Sequence, residues 1–204
     1  MVTVRILKQT DIDYVTDSVE QEGWGDTRRD IERCWRYEPN GCFIAQINQK
    51  PVGHAFSINY GKIGWIGLLI VRKEHRQKGI GTLLTQTAID YLRHAGAETI
   101  RLESVEGAVP LYQRLGFIRE FDSLRFNKKL KQNEVFRPST QTVIVGVEER
   151  HLDAIAKFDS KYFGANRLRV LQSLRKDHSR LCFVAKEKNH IVGYIMSREI
   201  TNAY

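Results

Sequence analysis

A chain of 204 residues with 42% hydrophobic content and a net charge of +8 can bury a sizeable core as one large domain or two small ones, and its charge favours anionic partners. No apolar run nears the roughly 18 residues of a membrane helix, and the opening MVTVRILKQTDID has no secretory core, so a cytoplasmic protein without membrane association is expected. Cys34, Cys42 and Cys182 are odd in number and outside any Cys-x-x-Cys spacing, which argues for buried thiols and no metal site, and no basic stripe interleaved with aromatics marks a nucleic-acid surface.

In chain order, residues 2–7 alternate as a strand, and Thr10 and Asp11 offer caps for a helix whose face carries Ile12, Val15 and Val19. Asp26 is placed to cap a second helix through Ile31, Cys34 and Trp35, which Pro39-Asn40-Gly41 ends. Cys42 begins a strand, Asn48-Gln49-Lys50 turns, and Val52 to Tyr60 returns antiparallel. Ile63 to Val71 runs without a polar interruption from Trp65, the pattern of a central strand covered on both faces.

A basic turn comes next, and then Ile80, Leu84, Ala88, Tyr91 and Leu92 recur at helical spacing until Gly96 can end the helix as a left-handed cap. Thr99 to Leu102 reads as a strand and Pro110 to Leu115 as a short helix closed by Gly116. Phe117 onward is expected to supply the last strands of a unit closing near residue 130, which makes the class α/β.

Residues 131–141 lose periodicity around Pro138 and read as a linker, and the chain beyond it repeats the pattern of its own first sixty residues. Adding 140 to the residue number carries Cys42-Phe43-Ile44-Ala45 onto Cys182-Phe183-Val184-Ala185, Val52-Gly53 onto Val192-Gly193, and Asp13 onto Asp153, with no gap. Ile12 and Ile31 fall on Leu152 and Leu171. Residues 142–204 are therefore expected to be a second, partial copy of the first half-domain, stopping before any counterpart of the central strand or the basic turn.

That turn, Val71-Arg-Lys-Glu-His-Arg-Gln-Lys-Gly-Ile-Gly-Thr82, reads as an anion cradle, because an Arg76-x-x-Gly79-x-Gly81 pattern at a helix start aims several backbone N–H groups at one spot. The same composition also suits a plain strand-to-helix connection. A Walker A loop would need Lys where Thr82 stands, and a dinucleotide fingerprint would need a small residue where Leu84 stands.

Val71-x4-Arg76-x2-Gly79-x-Gly81, followed about thirty residues later by Pro110-Leu-Tyr-Gln-Arg-Leu-Gly-Phe117, resembles the GNAT superfamily of N-acetyltransferases over residues 1–130. Residues 142–204, with Phe158-Asp159, Phe163-Gly164-Ala-Asn-Arg167 and Val192-Gly193-Tyr194, are similar to the degenerate C-terminal domain of tandem GNAT proteins. The resemblance implies the acyl-CoA N-acyltransferase fold, a mixed and mostly antiparallel sheet flanked by helices, with acetyl-CoA as cosubstrate and no metal.

By motif position it implies that backbone groups of Leu69, Ile70 and Val71 bind pantetheine and the acetyl carbonyl. The amides of Gln77, Lys78, Gly79, Ile80, Gly81 and Thr82 would take the phosphates, with charge from Arg76 and Lys78. Tyr112 occupies the position of the general acid, and a phenol of pKa about 10 suits protonation of a departing thiolate whose conjugate thiol has a pKa of about 8.5. Glu103 is the first candidate base and His54 the second. Two departures stand out: Val105 replaces the family's Asn seven residues before the tyrosine, and Gln77 replaces the first loop glycine.

These features together predict transfer of an acetyl group from acetyl-CoA to a primary amine by direct attack, with one coenzyme bound per chain. The acceptor is a small molecule or a peptide, unspecified by the sequence, as is the oligomeric state. The rival reading is a non-catalytic acyl-CoA-binding or regulatory module.

Overall fold

Alternation in the first sixty residues produces three antiparallel strands, β1 (Val2–Ile6), β2 (Cys42–Ile47) and β3 (Lys50–Asn59). Asn48 and Gln49 join β2 to β3 with φ of 49° and 64°, the left-handed pair that matches the twist of a hairpin. The apolar run becomes β4 (Ile63–Val71), antiparallel to β3, and β5 (Thr99–Leu102) lies parallel to β4 at the end of the sheet, in the order β1-β2-β3-β4-β5. The structure, a computed structural model, describes residues 1–124, 126 and 142–199, which form two compact units, Met1–Ser123 and Leu124–Glu199. The 131–141 linker expectation lies outside the described residues.

The helices α1 (Ile12–Gln21) and α2 (Arg28–Tyr37) cover one face of the first sheet, where Ile12, Val15, Val19 and Ile31 meet Cys42, Ile44, Phe56 and Ile70. The opposite face packs α3 (Ile80–His94), whose Ile80, Leu84, Ala88 and Leu92 meet Phe43, Ala45, Val52, Ala55, Ile66 and Val71. Ile66 and Ile70 of β4, four residues apart, belong to different cores, because an extra residue between them switches the face to which the strand alternates. Gly53 is required by this packing: a Cβ there would lie 2.9 Å from the Ile70 carbonyl oxygen and 3.2 Å from Leu84 Cδ1. Gly53→Ala is expected to cost about 1–3 kcal/mol, read as a lower urea midpoint with an unchanged slope.

Two expectations are corrected. The cap of α2 is Thr27, one residue beyond Asp26: its Oγ1 accepts the Asp30 N–H at 3.2 Å while the Asp30 carboxylate accepts the Thr27 N–H at 3.0 Å. The reciprocal pair needs a carboxylate at the third helical position, which Thr27 has in Asp30.

No strand comes after Phe117 among the described residues of the first unit. The short helix α4 (Val109–Arg114) ends there instead, with the Phe117 N–H donating to the Tyr112 carbonyl. Ile118, Phe121 and Leu124 stay exposed, and Arg119 and Glu120 spend their charges on Asp122 and Arg101, so the segment has no ladder to join.

The second unit contains β6 (Val143–Gly146), α5 (Leu152–Phe163), α6 (Leu168–His178), β7 (Cys182–Glu187) and β8 (His190–Met196), with sheet order β6-β7-β8. Single 3-10 turns precede α1, β2, α5 and β7 at residues 9–11, 39–41, 149–151 and 179–181, each pair 140 apart. The β2–β3 pairs Cys42↔Phe56 and Ala45↔Gly53 have the counterparts Cys182↔Met196 and Ala185↔Gly193, with a bulge directly after Ala45 and after Ala185. Lys188 and Asn189 repeat the left-handed hairpin pair at φ 45° and 66°.

The polar interior is rebuilt differently. The buried Asp159 accepts bonds from Arg167 at 2.6 and 2.9 Å and from the Tyr194 hydroxyl at 2.5 Å, which holds its carboxyl below the usual range against the opposing effect of burial.

Candidate functional site

β4 and β5 pair only over Ile63–Ile66 and Thr99–Leu102. Beyond them β5 ends, and the edge of β4 from Gly67 to Val71 faces no strand on that side among the described residues. On its other side β4 carries a bulge: His54 pairs with Ile70 and Phe56 with Gly67, so Leu68 and Leu69 together stand opposite Ala55. Leu68 sits at φ 44°, a left-handed conformation that a leucine adopts only under constraint. An extra residue in one strand bends it, and here the bend sits where β4 and β5 part. The backbone of Leu69, Ile70 and Val71 lines the resulting gap.

The chain then makes a 3-10 turn over Lys73–His75 and enters α3 through Gln77 at φ 61° and Gly79 at φ 76°. Gly79 is the helix cap and offers no side chain to the first turn, and a Cβ there would meet nothing within 4 Å. Among the described residues, none of the N–H groups of Gln77, Lys78, Gly79, Ile80, Gly81 and Thr82 donates to a protein acceptor, and the first in-helix bond is from the Leu83 N–H to the Gly79 carbonyl. N–H groups without acceptors at a helix start carry a partial positive charge, which suits an anion.

The side chains around the turn fix its shape. Arg76 Nε donates to the Val71 carbonyl at 2.9 Å and its guanidinium pairs with Glu22 at 2.6 Å, so it ties the turn to the end of β4 and the end of α1. Lys78 Nζ donates to the Glu74 carbonyl at 2.9 Å. Arg72 bonds Gln21 and stacks 4.9 Å over the Tyr14 ring. A cavity of about 190 Å³ lies between these groups, lined by Ser18, Glu22, Ile70, Arg72 and Lys73.

Tyr112 is buried in α4, its ring set edge-on to Phe117 at 5.9 Å. Burial pushes its phenol above its ordinary value, which keeps the proton in place at neutral pH. α4 also touches the turn, since Leu111 Cδ1 lies where a Cβ on Gly81 would come within 3.0 Å.

The two base candidates differ. Glu103 lies just after β5, is exposed, and accepts a bond from Ser123 at 3.2 Å. His54 is fully buried between Tyr14 and Phe56, both ring nitrogens lack a partner among the described residues, and desolvation pushes its pKa down to about 4. It is a neutral ring under α1, closed to solvent.

The β4 bulge at Leu68 and the Arg76–Glu22 tie are not legible in the sequence; only a break in the β3–β4 register marks the first, and nothing local marks the second. Cys42 and Cys182 are buried, with thiols pushed up by desolvation. Among the described residues no cluster of His, Cys, Asp and Glu is arranged for a metal, and no helix is long and apolar enough to cross a membrane.

Holothin acyltransferase from Pseudoalteromonas sp. is 23% identical to this chain over 184 residues, 90% of this chain and 60% of that protein. N-alpha-acetyltransferase 30 from Schizosaccharomyces pombe is 36% identical over 89 residues, 40% of this chain and 59% of that one. A solved structure from Pyrococcus horikoshii, described as a candidate acetyltransferase, superposes with a TM-score of 0.75 at 25% identity, covering 92% of this chain and 65% of that one. The chain thus spans about 60% of the length of these two relatives. The profile of the acetyltransferase (GNAT) family matches residues 8–117, across the bulged strand, the turn and Tyr112, and the chain belongs to that family, whose members are acyltransferases.

Proposed function

We propose that the protein transfers an acetyl group from acetyl-CoA to a primary amine of a small molecule or peptide. The reading is carried by the six unspent N–H donors from Gln77 to Thr82, which lie directly after the open edge of β4. A diphosphate suits such a cradle, because no side chain fills the space at Gly79 and the helix start favours negative charge. Relatives named as an N-alpha-acetyltransferase and a holothin acyltransferase support an acyl acceptor of peptide or small-molecule type.

In this reading acetyl-CoA supplies the acyl group as a thioester. Gln77, Lys78, Gly79, Ile80, Gly81 and Thr82 hold its phosphates, Lys78 adds charge, and Arg76 chiefly keeps the turn in shape. Backbone groups of Leu69, Ile70 and Val71 hold the pantetheine and the acyl carbonyl, where an N–H stabilises the developing oxyanion. Tyr112 Oη gives its proton to the departing sulfur. Glu103 accepts the proton of the amine, through water because its carboxylate is exposed and bound by Ser123.

Residues 1–130 then form the acetyltransferase domain of a cytoplasmic protein, 131–141 the linker, and 142–204 a partial second copy of its first half. The copy is supported by the shared 140-residue offset of turns, bulge, register and hairpin conformation. Isothermal calorimetry should find one acetyl-CoA per chain, with affinity reduced at least tenfold in Gly79→Val, where a branched side chain meets φ 76° at the cradle. No binding to the folded protein would overturn the assignment. A non-catalytic acyl-CoA-binding module is the second reading, favoured by the sealing of His54 and the engagement of Glu103, and acetylation of any member of an amine panel would dismiss it.

A further inference from the structure

The second unit holds a cavity of about 440 Å³ between β6, the 3-10 turn before α5 and the β7–β8 hairpin. Val143 and Val145 form its apolar wall, and His151, Lys186 and Lys188 supply polar groups. His151 is 6% exposed, and both nitrogens of its ring are engaged. Nδ1 accepts the Glu148 N–H at 3.1 Å, and Lys186 Nζ lies 2.8 Å from Nε2. Burial, and after it the charge of Lys186, push the imidazole below its ordinary pKa, so it is neutral at pH 7. With Nδ1 accepting, a neutral ring carries its proton on Nε2. Nε2–H and the lysine ammonium are then two donors set side by side.

The positions 140 residues earlier carry a filled and neutralised version of the same arrangement. There the Arg5 guanidinium donates to both oxygens of Asp11 at 2.7 and 2.8 Å, and its Nε donates to Gln46 Oε1 at 3.1 Å. Asp11 also accepts the Lys8 N–H, as His151 accepts that of Glu148. In the second unit Val145 stands for Arg5, His151 for Asp11 and Lys186 for Gln46. The long side chain that fills the first site is thus a short apolar one, the carboxylate is a neutral ring, and the amide is a cation. Arg5, Lys8, Asp11 and Gln46 make the first set complete by themselves. Val2 and Val4 pack toward α3, so Arg5 points to the other face of the sheet, and nothing after the β2–β3 hairpin enters the set.

We propose that this cavity binds a small phosphate monoester, with the phosphate accepting from His151 Nε2–H, Lys186 Nζ and Lys188 Nζ and the ester group lying on Val143 and Val145. Glu148 and Arg150 also face the cavity, but as a pair, both carboxylate oxygens being bound by the guanidinium at 3.0 and 2.9 Å. Lys186 and Lys188 have no carboxylate partner among the described residues, which leaves the walls with an excess of positive charge. A dianion makes charge-assisted bonds to all three donors, and its tetrahedral oxygens can meet donors that are not in one plane. The volume falls within the roughly 300–1,000 Å³ of small-molecule sites, which leaves room for an organic group beside the phosphate. The site shares no residue with the Gln77–Thr82 cradle and does not depend on the acetyl-transfer reading.

The test is a titration of phenyl phosphate into the full 204-residue protein, labelled with nitrogen-15 and followed by NMR at the amides of Glu148, His151, Lys186 and Lys188. Saturable shifts are expected there, with inorganic phosphate bound more weakly because it has no group to lay on Val143 and Val145. Lys186→Gln, which installs the residue type found at 46, should weaken binding at least tenfold. Val145→Arg combined with His151→Asp and Lys186→Gln rebuilds the Arg5 set and should abolish it. In both variants the amides of Leu152, Ile155 and Leu171 should keep their positions, which separates a lost site from a lost fold. No saturable shift, affinity unchanged in Lys186→Gln, or equal affinity for benzoate overturns the proposal. Loss of the shifts in Gly79→Val would trace them to the cradle and overturn it as well.

Discussion

Tyr112→Phe should lower turnover about a hundredfold or more while leaving acetyl-CoA affinity within about twofold, the signature of a proton donor that acts only as the bond breaks. The ring is buried against Phe117 and the substitution removes one oxygen, so packing is kept. The cradle at Gln77–Thr82 and the backbone of Leu69–Val71 are untouched, and they carry the proposed binding. The sign of the pH dependence is set by burial. The acid form is the active one, and desolvation raises the phenol above its usual value of 10, so activity that depends on this group falls only above pH 10. Steady-state rates with acetyl-CoA and an acceptor primary amine, together with calorimetry on the same variant, separate the two effects. An unchanged rate would remove Tyr112 from the reaction.

The largest stability loss is expected at Asp30→Ala, about 4 kcal/mol. Asp30 and Arg33 are 2% and 4% exposed and paired on one turn of α2, and the same carboxylate closes the reciprocal cap with Thr27. Alanine removes the cap, worth about 1 kcal/mol, and takes the carboxylate away from a buried guanidinium, where breaking such a pair costs about 3–5 kcal/mol. Asp13→Ala is the control. Its pair with Arg28 is exposed on both sides, and it should change stability little. Urea melts of the two variants test the contrast, and equal losses would refute the burial argument.

Most of the first unit is legible in the sequence because its signals are local. The 3.6-residue period of Ile80, Leu84, Ala88 and Leu92 and the uninterrupted run into Val71 each state one element, and the turn between them is bounded by both. The β2–β3 hairpin is equally open to reading, since Asn48 and Gln49 sit between two apolar runs. The strands expected after Phe117 show the limit. Ile118, Phe121 and Leu124 look like strand residues, but a strand exists only if a neighbour offers a ladder, and none does among the described residues. The site divides in the same way. Gly79 and Gly81 announce the cradle by type and spacing, whereas the bulge at Leu68 depends on how β3 registers against β4, and Arg76 meets Glu22 across 54 positions of sequence.

The short pairing of β5 also has a consequence for local unfolding. β5 is held by four residue pairs along one edge, and the chain runs from it into α4, which carries the proposed acid. Opening free energies scale with such anchoring, so this wall of the gap should exchange its amide hydrogens well before the β2–β3–β4 centre. A molecule that spans the gap and touches both walls adds its binding energy to closure. Occupancy would then slow exchange most in β5 and α4, the weakly anchored side of the gap.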